Sequence, residues 1–155
     1  YGMQLGSGTV DPKISLTAVK YHNNLSYGSQ IGGLIRLFEN KSGYSNSSKY
    51  YINSWISQTI NSSISISTII SYNFSTSISG KDDSIISMTS PETDVKNSGN
   101  QILMTGIALN YLFPSSLLNG LRFALEYQSP NLWYNNGIKI KLDNQITLGF
   151  QYTIH

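Results

Sequence analysis

The chain has no cysteine, only four prolines, and a charged fraction of 12% over 155 residues. Without cysteine there is no disulfide scaffold and no thiolate metal site. The charged fraction is about half the roughly 25% of globular chains, which excludes a highly charged disordered protein. Net charge is +2 with no basic cluster, so nucleic acid is not an expected partner. No apolar run approaches the roughly 18 residues that mark a membrane-crossing helix. No segment repeats at a helical period either, so essentially no helix is expected. The first residues, from Tyr1, are glycine-rich and polar rather than a signal peptide. With no initiator Met, the chain reads as a processed protein or a fragment.

Serine, asparagine, isoleucine and tyrosine fill the space instead, and their order carries the information. From Ile64 to Ile78 the even positions are Ile64, Ile66, Thr68, Ile70, Tyr72, Phe74, Thr76 and Ile78. The odd positions are Ser65, Ser67, Ile69, Ser71, Asn73, Ser75 and Ser77. A period of two puts one set on each face of a strand, and β-branched and aromatic residues suit that geometry. A strand over 62–79 is longer than the usual ~5–6 residues. It is long enough to cross a bilayer at a tilt, which takes ~9–11 residues.

The same alternation predicts further strands over 13–22, 25–39, 49–60, 101–113, 121–128 and 138–154. The expected fold is all-β: an antiparallel up-and-down meander of about seven long strands. Trp55 falls on the polar side of its strand, where alternation alone gives it no role. The connections sort by length. Asn23-Asn24, Asn61-Ser62 and residues 114–120 are short, whereas 40–48, 80–100 and 129–137 are longer and more polar. Short turns at one rim and long loops at the other characterise an outer-membrane barrel. Aromatic residues near strand ends (Tyr21, Tyr27, Tyr50, Tyr51, Tyr111, Phe113, Tyr127 and Tyr152) suit interfacial girdles.

Three stretches resemble a family of bacterial outer-membrane transporters associated with the meta-cleavage pathway of phenol degradation. They are Tyr1-Gly-Met-Gln-Leu-Gly-Ser-Gly-Thr, Leu121-Arg-Phe-Ala-Leu-Glu-Tyr and Leu148-Gly-Phe-Gln-Tyr. The first lies mid-chain in similar proteins, so the resemblance implies that residues 1–155 are the C-terminal part of a single barrel domain. It also implies a bacterial outer-membrane location, and a passive channel or transporter for small, aromatic or hydrophobic molecules. The expected partners are the lipid bilayer, N-terminal strands of the same barrel, the barrel-assembly machinery and a small-molecule substrate. The match departs at the tail, where Ile154 stands in place of the family's terminal aromatic.

Chemistry-bearing clusters are few. His22 and His155 lie at opposite ends of the chain, with no acidic or cysteine partners in pattern around them, so no metal site and no catalytic residue is assigned. Leu5-Gly6-Ser7-Gly8 follows no strand and precedes no suitably spaced lysine, unlike a phosphate loop. Asp82, Asp83, Glu92 and Asp94 match no calcium-loop spacing. The Asn-x-Ser triplets at Asn24, Asn40, Asn46, Asn61 and Asn73 are expected by chance in so Asn- and Ser-rich a chain.

The polar strand face is the functional candidate. Gln30, Arg36, Asn73, Asn110, Arg122, Glu126, Gln128, Gln145 and Gln151 are the expected lumen-facing residues, with Glu126 expected to pair across strands. No cofactor is implied and no enzyme activity is expected. The competing readings are a soluble extracellular β-sandwich used for adhesion or binding, and an outer-membrane enzyme. The latter lacks a histidine beside a nucleophile.

Overall fold

The computed structural model describes residues 6–85, 90–114 and 120–153. Nine strands follow in chain order. They are β1 (Lys13–His22), β2 (Leu25–Leu34), β3 (Tyr44–Ser45), β4 (Lys49–Thr59), β5 (Ile64–Ser75), β6 (Ser79–Gly80), β7 (Asn100–Leu112), β8 (Leu121–Asn135) and β9 (Gln145–Tyr152). Seven of them form one sheet in the order β1-β2-β4-β5-β7-β8-β9, and β3 and β6 make a separate two-stranded ribbon. Every neighbouring pair is antiparallel. The helical content among the described residues is two 3-10 turns, Pro91–Thr93 and Val95–Asn97. The sheet is open. β1 and β9 do not pair, and in a meander of seven they run in the same direction.

Because directly opposed residues share a face, the register sorts every side chain. One face carries Leu16, Ile31, Ile52, Tyr72 and Leu103 in a single row across five strands. Tyr27, Ile56, Thr68, Ile107, Tyr127 and Ile146 form another. The other face carries Gln30, Asn53, Ser71 and Met104 in one row, and Ser57, Ser67, Ala108, Glu126 and Thr147 in the next. No second layer covers either face among the described residues. The apolar face is therefore exposed from edge to edge: Ile107 is 62% exposed, Leu148 61% and Phe150 74%. On the polar face Ser67, Ser71 and Met104 are buried by their own neighbours. Side chains that crowd on one face and splay on the other indicate a curved sheet, with the polar face concave.

Several expected boundaries moved. β2 stops at Leu34 rather than Glu39. Its last contact with the first strand is the Ile35 amide bonding the Pro12 carbonyl, and Pro12 has no N–H to return. β8 runs through Pro130 to Asn135, where a loop was expected. The ladder to β7 shifts register there, so that Met104 faces Pro130 and Leu103 faces Leu132. β9 pairs with β8 only up to Gln128, which leaves Pro130 at a bulge on a free edge, the position a strand proline tolerates. The last strand starts at Gln145, not Ile138. Ile138 and Ile140 alternate correctly but have no partner strand among the described residues, and they are exposed.

The two rims differ. At one, Asn23 (φ 52) turns β1 into β2, and the Ile60 amide bonds the Ile64 carbonyl between β4 and β5. Residues 115–119, in the third turn, lie outside the described residues. At the other rim, residues 35–48 and 76–85 fold over one another. The β3–β6 ribbon ties them together and encloses Tyr44, the one fully buried large side chain among the described residues.

Candidate functional site

β2 has three glycines that face β4, and each lies under an aromatic ring. Gly28 is opposite Trp55, Gly32 opposite Tyr51 and Gly33 opposite Tyr50. A Cβ on Gly28 would stand 2.5 Å from the Trp55 ring, and one on Gly32 2.6 Å from Cζ of Tyr51. The rings lie across the gaps that the glycines leave, an arrangement that shields a sheet glycine. This gives Trp55 a role on the polar face. Tyr51 shares that face, and so does Tyr21, opposite Ser26. Neither belongs to the apolar face, so the expected aromatic girdle loses both. The rings that do pair on the apolar side are Tyr50 with Phe74, Tyr111 with Phe113, and Phe123 with Phe150.

Beside Trp55 the concave face forms a trough with two recesses of about 500 Å³ and 440 Å³. Trp55, Ile69 and Glu126 line both recesses. Across the trough, the Ser71 hydroxyl donates to Oε1 of Gln128 at 3.0 Å, spanning from β5 to β8. The bond passes β7 at Gly106, which faces Gln128 and has no side chain to intervene. A Cβ on Gly106 would fall 2.7 Å from Cγ of Gln128 and 2.3 Å from the Tyr127 carbonyl oxygen.

Eight of the nine polar candidates lie on this one face. Gln30 donates to the Thr17 hydroxyl at 3.0 Å. Asn73 stands between Tyr51 and Ile102, and Asn110 between Ser65 and Ala124. Arg122 lies opposite Gln151, Glu126 opposite Thr147, and Gln128 opposite Gln145. Arg36 is the exception, because it lies beyond the end of β2. It continues the β1–β2 register by two residues to form an ion pair with Asp11 at the long-loop rim. Glu126 departs from expectation in another way. Among the described residues it makes no cross-strand pair, and it accepts a hydrogen bond from Gln128 on its own strand. Among the described residues Arg122 has no ion-pair partner; those pairs are Arg36–Asp11 and Lys81–Asp83.

The rim charges are organised differently. Asp11 accepts from the hydroxyls of Ser7 at 2.6 Å and Thr9 at 2.9 Å as well as from Arg36. The Ser7 hydroxyl first, then Thr9 and the guanidinium, hold its carboxyl below the usual range against the opposing effect of burial. Asp82 is likewise held low, by the Ser84 hydroxyl and amide and by Ser42. Lys139 donates to the Gly99 carbonyl at 3.1 Å, and partial burial lowers its pKa. No three His, Asp or Glu side chains converge among the described residues as a metal site would require.

No family model, curated protein or solved structure matches the chain. The arrangement of side chains therefore has to carry the functional reading. Alternation could have indicated the glycine–aromatic pairing only if the β2–β4 register had been known. The Ser71–Gln128 bridge has no sequence signal, because it joins strands that are not neighbours.

Proposed function

We propose that this chain forms part of the wall of a bacterial outer-membrane β-barrel that acts as a passive channel or transporter for small molecules. The observation that carries the reading is the predominantly apolar face, crossed by a row that includes Ser29, Ser54, Thr105 and Ser129. It spans all seven strands of the large sheet and nothing among the described residues covers it. Monomeric soluble proteins rarely expose a contiguous apolar patch beyond a few hundred Å², whereas a barrel wall turns such a face to lipid and its polar face to a wet interior. A soluble sandwich would need a second sheet over the apolar face, and the two-stranded ribbon lies at a rim instead.

In a bilayer the edges of β1 and β9 cannot stay open, since each unpaired backbone group costs several kcal/mol in hydrocarbon. The two edges run in the same direction, so antiparallel pairing on both sides takes an odd number of further strands. With the seven described, the total becomes even, as in bacterial single-chain barrels. The partners under this reading are the lipid bilayer, further strands of the same barrel, the assembly machinery and a small-molecule substrate. On the sequence resemblance alone, that substrate is aromatic or hydrophobic. The reading assigns no catalytic residue and no cofactor.

The test is extraction and electrophoresis. The full-length protein should require detergent, migrate differently before and after heating, and raise the conductance of a planar bilayer. A protein that stays in solution without detergent would sink the reading. Orientation can be read separately in intact cells. A protease site inserted at Asp83–Ser84 should be cut, and one inserted between Phe113 and Gly120 should be protected.

A further inference from the structure

The concave face bears few charges, and their signs are unequal. Along the seven strands of the large sheet it carries Lys13, Lys49 and Arg122 against a single carboxylate, Glu126. Two residues beyond the ladder, Arg36 and Asp11 neutralise each other. Lys13 and Lys49 both face Leu34 of β2, so they lie two strand spacings apart, about 10 Å. That is about one Debye length at 0.1 M salt, so their fields overlap there. Arg122 stands at the opposite rim, and none of the three has an acidic partner among the described residues. Unpaired cations thus lie near both mouths of the trough, and the one anion lies between them. Rings of fixed charge set the selectivity of wide pores, and low-dielectric walls strengthen their effect.

We propose that the concave face favours the passage of small anions, such as chloride and monocarboxylates, over cations. This rests on the channel reading above. Only a lysine on the concave face acts on the interior. Lys20, opposite Tyr27 on the apolar face, carries the same charge but cannot act on the interior.

The experiment uses the full-length protein in planar bilayers of neutral phosphatidylcholine, with a tenfold potassium chloride gradient. The reversal potential should report chloride permeability at least about threefold above that of potassium at 0.1 M salt. The preference should fade toward 1 M, where the Debye length falls from about 10 Å to about 3 Å. Lys49→Gln and Arg122→Gln should each reduce the chloride preference, and Lys49→Glu with Arg122→Glu should invert it. Lys20→Gln should leave it unchanged, and heat-modifiable migration shows that each variant has assembled. Potassium preference in the parent, or equal behaviour of Lys49→Gln and Lys20→Gln, overturns the inference and leaves the channel reading standing. Membrane-assembled protein without conductance overturns both.

Discussion

The two faces of the large sheet are built from the same strands, yet they solve opposite problems. On the convex face Ile, Leu, Phe and Tyr splay apart and stay exposed, and polar atoms are satisfied locally. There the Ser29 and Ser54 hydroxyls lie 3.0 Å apart, and Thr105 donates to Asn131 at the bulge. On the concave face the same curvature drives side chains together. Glycine and serine then become necessary, because large residues from several strands would converge on one space. Apolar character defines the first face, and the second is limited chiefly by side-chain volume. A substitution that is harmless on one should be damaging on the other.

The largest expected effect breaks the contrast by charge. Ile66→Arg, Leu109→Arg and Leu148→Arg place a guanidinium on the convex face, which under the proposed barrel reading costs ~2–4 kcal/mol each near the bilayer midplane. Each should abolish heat-modifiable assembly. Gln151→Arg and Thr147→Arg, exposed positions on the concave face, should assemble normally. Ser67 shares that face but is buried, so Ser67→Arg should fail through crowding. Equal damage from Leu148→Arg and Gln151→Arg would disprove the assignment of faces.

Volume is the next probe. Gly106→Val would press on the Tyr127 carbonyl and on Gln128, and Gly28→Val would displace the Trp55 ring. Overpacking of this kind costs about 1–3 kcal/mol and should lower the unfolding midpoint in urea. Gly149→Val lies on the same face, where an added Cβ meets only Cβ of Ala124 at 3.7 Å. It should shift the midpoint least, and a larger shift there would break the crowding argument.

The smallest effect sharpens the boundary between faces and rim. The Asp11 carboxyl is held below its ordinary value of 3.8. Its contribution is therefore fully present above that value and is lost as pH falls through the lower, folded-state value. Acidification from pH 7 to below about 4 should loosen residues 35–48 in amide exchange while the β4–β5 ladder stays protected. Asp11→Asn should give the same loosening already at pH 7. Loss of protection throughout the sheet would mean that the rim and the faces are not separable.

How much of this was legible depended on whether a feature is local. β1 spans the residues that alternation marked, and β4, β5 and β7 lie within a few residues of expectation. β4, β5 and β7 have partners on both flanks, and β1 pairs along its whole length with β2. Residues 138–142 alternate just as well, yet among the described residues no strand pairs with them, and the Ile138 amide bonds the Asn97 side chain instead. Pro130 was read as a stop, and it became part of β8 because a bulge and a free edge remove the need for its N–H. The β3–β6 ribbon is too short for any period to show, and it exists because residues 35–48 and 76–85 meet at one rim. Arg36 was placed on a strand face by a pattern that outlasts the pairing.

The sequence by itself determined which side chains share a face, because the pleat alternates them within a single strand and no partner is needed. It also determined the meander, since short turns such as Asn23-Asn24 leave neighbouring strands little choice but antiparallel pairing. Only the tertiary structure decided which face is concave, where each ladder ends, which ring covers which glycine, and that Ser71 reaches Gln128 over Gly106. Each of these depends on register or curvature across strands distant in the chain, and hydrophobic periodicity carries no term for either.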